Sequence, residues 1–184
     1  MKRSSHPRVA RRRATFDAGR PSRDVLLRAL REAYAGPAWH GPSLRAALRG
    51  ISATTASEHP GPGRPSCWEI VLHLAYTRHR LLHRLAVSAG ERFPRRLRAA
   101  WWPRMPWPEE CTPAAWRADL ALLDAYHERL VAVVATVPES RLRAVRAGQP
   151  RTIAHELLGV ALHDAYHTGQ IRLGARLLES GRDS

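Results

Sequence analysis

The chain has 184 residues and a mass of 20.6 kDa, which is about the size of one domain. Its 44% hydrophobic and 25% charged residues exclude wholesale disorder. No apolar run approaches the ~20 residues that cross a bilayer, and no signal peptide is visible, so we expect a cytoplasmic protein without a membrane partner. Cys67 and Cys111 lack ligand spacing, which excludes a disulfide framework and a cysteine-rich zinc module.

Half of the formal net charge of +14 lies near the N-terminus, where eight of the 30 basic residues fall within the first 23 positions beside one acid, Asp17. Residues 1–20 show no apolar periodicity, which is typical of a disordered, solvated basic arm. As an alternative, the arm could bind anions nonspecifically through counterion release. We expect no specific nucleic-acid partner.

Helical patterns follow the arm. Apolar residues recur at helical spacing over residues 22–34, and Gly36 and Pro37 end this first helix. A shorter helix is expected over residues 43–48. Residues 58–65 (EHPGPGRP) contain too much glycine and proline to form anything but a loop.

A second long helix has a strong start signal, because Ser66 and Glu69 form the S-x-x-E pattern of a capping box. We expect this helix to continue to residue 90. The following segment, residues 93–108, holds four prolines and three tryptophans. It cannot be a regular helix, and its aromatic side chains predict that it packs across the other helices.

Two further helices complete the pattern. Thr112 and Pro113 are typical of an N-cap and a first-turn proline, and this third long helix is expected to end at residues 137–138. A last helix covers about residues 152–181. Since no segment alternates with the period of a strand, the sequence predicts an all-α, antiparallel four-helix bundle over residues 21–184, preceded by the arm of residues 1–20.

The last helix carries the most informative stretch, HELLGVALHDAYHTGQI, at residues 155–171. On a helical wheel centred on His163, apolar residues flank it on both sides and polar residues lie opposite. The flanks are Leu162, Tyr166, Leu173 and Leu177 on one side and Ile153, Val160, Ile171 and Leu178 on the other; the polar residues are Thr168, Arg172, Arg176 and Glu179. This pattern predicts that His163 and His167 face the core.

The i, i+4 spacing of His163 and His167 brings two imidazoles onto one stripe, with Cβ atoms about 6 Å apart, close enough to share a metal ion. Burying two imidazoles costs free energy unless each finds a partner, and one divalent metal would satisfy both. The alternative is a pair of core histidines that hydrogen-bond to Gln170 or to the backbone. Spacing alone leaves both interpretations open.

A third ligand would have to come from another helix, and the second long helix offers His73, His79 and His83. His79 and His83 lie among arginines, which predicts a solvated face. His73 is the better candidate, because Glu69 is the only other charged or imidazole group in its apolar stretch; the alternative is a His73–Glu69 pair. Weaker options are His127 and His155.

With these residues in view, the chain resembles the DinB family of metal-binding four-helix bundles, which also includes bacterial thiol-dependent transferases. The matching segments are AWHGPSL (38–44), SCWEIVLHLA (66–75), the loop around Trp107 and Pro108, and HDAYHTGQI (163–171), the most specific of the four. The family's metal ligands imply His73, His163 and His167 here. For His40, which lies in the first segment, we expect only a role at the start of the short helix.

The resemblance implies a divalent metal ion, zinc or nickel first and iron or manganese next, on three neutral imidazoles that leave coordination positions open. Such a site could serve a metal-dependent hydrolase or a thiol S-transferase acting on a low-molecular-weight thiol or another small-molecule substrate. Asp164, Glu156 and Gln170 are nearby polar groups that could orient ligands or move protons. The resemblance assigns no particular reaction.

The alternative is a non-catalytic metal-binding or interaction module whose basic arm binds anions nonspecifically. A deep, partly apolar cavity beside the three histidines would favour the enzyme, whereas a metal covered by Trp101 or Trp107 would favour the module. A homodimer is compatible with either function.

Overall fold

The computed structural model describes residues 21–85, 90–95, 97–99, 101–145, 148 and 150–182. The basic arm of residues 1–20, with the disorder and anion binding predicted for it, lies outside the described residues. Helices make up most of the described structure.

The elements, in chain order, are α1 (Arg23–Tyr34), α2 (Leu44–Leu48), α3 (Ala53–Ser57), α4 (Cys67–Arg84), β1 (Leu97–Ala99), β2 (Trp102–Pro103), a 3₁₀ turn at Pro108–Glu110, α5 (Pro113–Thr136), α6 (Glu139–Leu142) and α7 (Ile153–Arg182). The two strands form a small antiparallel sheet. Within the described part of the chain, no helix combines the length and apolar character that crossing a membrane requires.

The predicted helix starts are confirmed by their caps. The Ser66 hydroxyl accepts from the Glu69 backbone N–H at 3.2 Å, and the Glu69 carboxylate accepts from the Ser66 N–H at 2.9 Å, which completes the capping box of α4. At α5, the Thr112 hydroxyl accepts from the Ala115 N–H at 3.2 Å, and Pro113 occupies the first turn. These local bonds satisfy backbone groups that the helices leave free.

α1 and α5 are antiparallel neighbours. Arg23, at the start of α1, donates to the carbonyl of Val137 just beyond the end of α5. Tyr34, at the end of α1, donates to Asp124 in the middle of α5 at 2.5 Å. The two helices therefore run in opposite directions.

α4 and α7 are also antiparallel, and a fully buried ion pair joins them. Nη2 of Arg78 lies 2.5 Å from Oδ2 of Asp164, and both side chains are 0% exposed. Farther along α4, Arg84 pairs with Glu156 at 2.9 Å, and Glu156 precedes Asp164 on α7. This order of contacts fixes the opposite directions of the two helices.

α4 and α5, by contrast, run in the same direction. The Trp68 indole donates to Asp119 at 2.8 Å near the starts of both helices, and farther along the ring centroids of His79 and Tyr126 lie 5.5 Å apart. A parallel pair needs a connection that returns along the bundle. The segment between α4 and α5 supplies it, and β2 of this segment packs on α4. The predicted four-helix bundle is therefore confirmed, with an antiparallel neighbour for each long helix.

The predicted end of the second long helix is wrong. α4 ends at Arg84 rather than at residue 90, because the chain turns back and Nε2 of His83 donates to the Glu91 carbonyl at 2.7 Å. A continued helix would carry Glu91 about 12 Å along the axis from His83. The short helices α3 and α6 are not predicted by the sequence, because a helix of four or five residues is too short to show an apolar period.

The buried face of α7 also differs from the prediction. Leu157, Asp164 and Thr168 are at most 4% exposed, and they lie roughly 120° around the helix from His163. Thr168 is therefore not on a solvated face; its hydroxyl donates to the Asp164 carbonyl at 2.7 Å. Of the two predicted apolar flanks, one is instead 41–65% exposed: Leu162, Tyr166, Leu173 and Leu177. In the other flank, Ile153, Val160 and Ile171 are buried as predicted.

We expect Asp164→Asn to lower the free energy of unfolding by about 3–5 kcal/mol, because it leaves the Arg78 guanidinium buried without its counter-charge. Urea unfolding followed by circular dichroism measures the change. The control is Glu58→Gln, which removes the exposed ion pair with Arg182, whose two side chains are 37% and 50% exposed; this loss should cost under about 1 kcal/mol. Equal losses in the two variants would contradict a special role for the buried pair.

Candidate metal centre

Three histidines meet between α4 and α7. His73 lies in the middle of α4, and His163 and His167 lie one turn apart on α7. One imidazole nitrogen from each residue lies within 4.8 Å of those of the other two. In the part of the chain that the structure describes, no other group of three His, Cys, Asp or Glu has this spacing.

All three rings turn Nε2 toward the others. Nε2 of His163 lies 3.1 Å from Nε2 of His73 and 2.9 Å from Nε2 of His167. Two nitrogens that bind one ion at ~2.0–2.1 Å lie about 2.9 Å apart at a right angle and about 3.3 Å apart at the tetrahedral angle of zinc. The observed separations therefore suit ligands of a single ion.

The other ring nitrogens of His73 and His167 are engaged in hydrogen bonds. Nδ1 of His73 donates to the Trp101 carbonyl at 2.6 Å, and Nδ1 of His167 donates to Oε1 of Gln170 at 2.6 Å. A neutral imidazole carries one proton, so Nε2 of each of these two rings presents a lone pair. Such partners fix the tautomer and orientation that a metal-binding histidine needs.

His163 decides what the cluster can hold. Its Nδ1 is buried and has no hydrogen-bond partner among the described residues. As a neutral ring it carries one proton, and it can donate a good hydrogen bond to only one of the two facing nitrogens. At least one buried lone pair therefore stays unsatisfied, which costs free energy. One cation would satisfy all three nitrogens, so these residues fit a divalent metal.

Burial keeps the three imidazoles uncharged. Desolvation, reinforced by the neighbouring imidazoles, lowers the pKa of His163 to about 3 and that of His167 to about 4. Desolvation also lowers the pKa of His73, against the opposing effect of its bond to Trp101. The rings are therefore neutral at pH 7, which is the state in which histidine binds metal.

An indole covers one side of the cluster. The Trp102 ring stacks on His73, with centroids 4.3 Å apart and planes 15° apart. His73 and His167 are only 7% and 4% exposed, whereas His163 is half-buried. Of the three rings, His163 is the most accessible.

Neither of the two tryptophans named from the sequence covers the site. Trp101 contributes its backbone carbonyl, while its side chain lies under the guanidinium of Arg80, 5.1 Å from the ring centroid. Trp107 is 52% exposed and packs against Arg104. The Trp101 carbonyl and the Trp102 indole are the functional groups that sequence reasoning missed. The tryptophan-rich segment pointed to their region but not to their roles.

The other candidate histidines lie outside the cluster. His155 is exposed on α7, and His127 is buried against Tyr34. The solvated face predicted for His79 is wrong: its side chain is 5% exposed and its ring lies 5.5 Å from that of Phe93, because the chain returns over this part of α4.

The polar groups expected near the site have different roles. Gln170 contacts His167 directly, as described above. The carboxylates of Asp164 and Glu156 instead pair with arginines and join α4 to α7. Glu69 caps α4 and lies 3.1 Å from His59, while both ring nitrogens of His73 have other partners. The alternative His73–Glu69 pair is therefore not formed.

Fold and site together define a helical bundle with a three-histidine cluster between two antiparallel helices. A model of the DinB superfamily matches residues 38–171, a span that contains all three histidines. The chain belongs to the DinB superfamily. Comparison with curated protein sequences gives no match.

A solved structure supports the fold. It is YfiT from Bacillus subtilis, described as a probable metal-dependent hydrolase with an unusual four-helix bundle topology. The two chains are 20% identical, and the match covers 85% of this chain and 87% of the YfiT chain, with a TM-score of 0.57. At this level of identity the likeness shows the fold alone.

Outside the cluster, the stacked pair of His127 and Tyr34 generates a prediction about pH. The two ring centroids are 3.7 Å apart. Desolvation, with Arg78 and Arg31 nearby, lowers the pKa of His127 to about 3. In the unfolded chain the pKa of histidine is about 6.5. The unfolded state therefore takes up a proton first as the pH falls, and stability is lost from about pH 6.5 downward toward pH 3.

We expect His127→Phe, which keeps an aromatic ring against Tyr34, to remove this contribution. Between pH 7 and pH 5 the variant should lose about 1–2 kcal/mol less unfolding free energy than the wild type. Urea unfolding at the two pH values measures the difference. An identical loss in both proteins would show that His127 is not held neutral by the fold.

Proposed function

We propose that this chain binds one divalent metal ion through Nε2 of His73, His163 and His167 and acts as a metal-dependent hydrolase. The proposal rests on the convergence of the Nε2 atoms of three neutral imidazoles. Nε2 of His163 lies 3.1 Å from Nε2 of His73 and 2.9 Å from Nε2 of His167. Membership of the DinB superfamily and the description of YfiT support the same class of function.

The donor set bears on the choice of metal and on the chemistry. Imidazole nitrogens favour zinc or nickel, with iron and manganese as further options. His73, His163 and His167 would hold such an ion with coordination positions left open, and the ion would supply the activation of a water molecule for hydrolysis.

The protein's own groups prepare the site. The Trp101 carbonyl and the Gln170 amide oxygen hold the protons of His73 and His167 on Nδ1, which leaves Nε2 free. The Trp102 indole shields the His73 ring from water on one face. Because His163 is the most accessible ring, we place the approach of a small-molecule substrate on its side.

A non-catalytic metal-binding module is the second candidate. The burial of His73 and His167, which are 7% and 4% exposed, favours it because little room is left beside these rings. Thiol S-transfer would use the same open positions as hydrolysis and differs in requiring a thiol. Measurements of activity with and without a thiol separate the three functions.

We expect His73→Ala and His167→Ala to abolish stoichiometric metal, because each removes one of three ligands. The control is His155→Ala, which removes an exposed histidine from the same helix as His167 and should keep wild-type metal content. Elemental analysis of dialysed, metal-loaded protein measures the content. Full occupancy in both ligand variants would exclude the three-histidine site.

Gln170 offers a test of the hydrogen bond behind a ligand. We expect Gln170→Leu to weaken metal binding about 10–100-fold, because Nδ1 of His167 loses its acceptor. Gln170→Glu restores an acceptor oxygen and should recover most of the affinity. Competition with a chromogenic chelator measures the affinity, and equal affinities in all three proteins would show that Gln170 has no role at the site.

Activity is tested with a panel of esters and amides and a panel of alkyl electrophiles, each with and without cysteine as the thiol. The hydrolase proposal predicts turnover that needs no thiol, is lost on chelation and is lost in His73→Ala. Turnover that requires the thiol would instead establish transfer. Absence of turnover in protein with full metal content would support the module.

A further inference from the structure

A groove lies where α2 and α3 meet the start of α5. It has a volume of about 530 Å³ and opens between residues 45–53 and residues 113–120. This volume is within the range of small-molecule sites. We call this surface the α2–α5 groove.

The floor of the α2–α5 groove is apolar and ordered by packing. Leu48 and Trp116 are 3% and 4% exposed, and Ile51 and Leu120 are partly buried beside them. The Trp116 indole N–H donates to the Ile51 carbonyl at 2.9 Å, so its polar atom is satisfied. The apolar surface that a ligand can reach is therefore that of Ile51 and Leu120, held in place by Leu48 and Trp116 packed beneath them.

The walls of the α2–α5 groove carry three arginines, Arg45, Arg49 and Arg117. Nε of Arg45 lies 3.2 Å from the carboxylate of Asp124, which balances its charge. Arg49 and Arg117 are exposed, and within the described ranges neither has a carboxylate partner or a side-chain hydrogen bond. No described residue that lines the groove is acidic. The groove thus presents about two uncompensated positive charges above an apolar floor.

We propose that the α2–α5 groove binds an organic phosphate monoester with an apolar, aromatic organic part. A phosphate monoester carries a charge of about −1.5 to −2 at pH 7, which matches the two free guanidiniums. Arginine binds phosphate oxygens through paired N–H donors, with a geometry that lysine lacks. The organic part would pack on the accessible side chains of Ile51 and Leu120, which a free phosphate ion cannot do.

This binding is independent of the metal centre. The groove is lined by α2, α3 and α5 and by the turn between α2 and α3, whereas the three histidines lie on α4 and α7. The proposal therefore goes beyond the metal-dependent function, and its test requires no metal. Its outcome is the same whether or not the histidine cluster proves catalytic.

Isothermal titration of phenyl phosphate into the full chain tests the proposal. The test variant is the double substitution Arg49→Gln/Arg117→Gln. The control is Arg172→Gln/Arg176→Gln, which removes two exposed arginines of α7 and so gives the same net charge. Comparison of the two variants distinguishes binding in the groove from the general attraction of an anion to a chain of charge +14.

We expect phenyl phosphate to bind the wild type and the control variant with one-to-one stoichiometry and similar affinity. In the test variant the affinity should fall about tenfold or more, since each lost charge-assisted contact contributes to binding. Inorganic phosphate should bind the wild type about tenfold more weakly than phenyl phosphate, because it gains nothing from the apolar floor.

Three results would overturn the proposal. No binding of phenyl phosphate by the wild type would mean that the groove is not a phosphate site. Equal weakening in the test and control variants would assign the binding to overall charge. Equal affinity for phenyl phosphate and inorganic phosphate would remove the role of the apolar floor.

Discussion

Arg78 and Asp164 are held together where neither reaches water, with 0% of each side chain exposed. On α4, Arg78 follows His73 by five residues, and on α7, Asp164 directly follows His163. Sliding α7 by one turn would part the two charges by about 5.4 Å and would withdraw His163 from His73. A buried ion pair adds little stability compared with apolar packing, but it penalises every register that separates it. We infer that this pair sets the register on which the histidine cluster depends.

Features that depend on one helical turn could be predicted from the sequence. The Ser66–Glu69 capping box and the Thr112–Pro113 start use groups that are neighbours in the chain. The shared stripe of His163 and His167 follows from helical spacing in the same way. The four-helix bundle is predicted from these helices. Helical spacing alone cannot bring His73 to the other two histidines, so its prediction as the third ligand rests on its apolar surroundings and on the family resemblance.

Contacts between distant segments explain what could not be predicted. Asp164 counts as polar on a helical wheel, yet Arg78 neutralises it from another helix, so the buried face turns toward Asp164 and an apolar stripe is left exposed. His79 lies among arginines in the sequence, but the returning chain covers it with Phe93. The hydrogen bond that orients His73 goes to a backbone carbonyl, that of Trp101, and a backbone atom has no signature in the sequence.

Anomalous diffraction at the zinc edge, from crystals of the zinc-loaded protein, tests most directly whether three imidazoles bind one ion. The geometry predicts a single strong peak between α4 and α7, about 2.0–2.1 Å from Nε2 of each of His73, His163 and His167. A peak that contacts fewer than three of these nitrogens, or no peak between the two helices, would contradict the account.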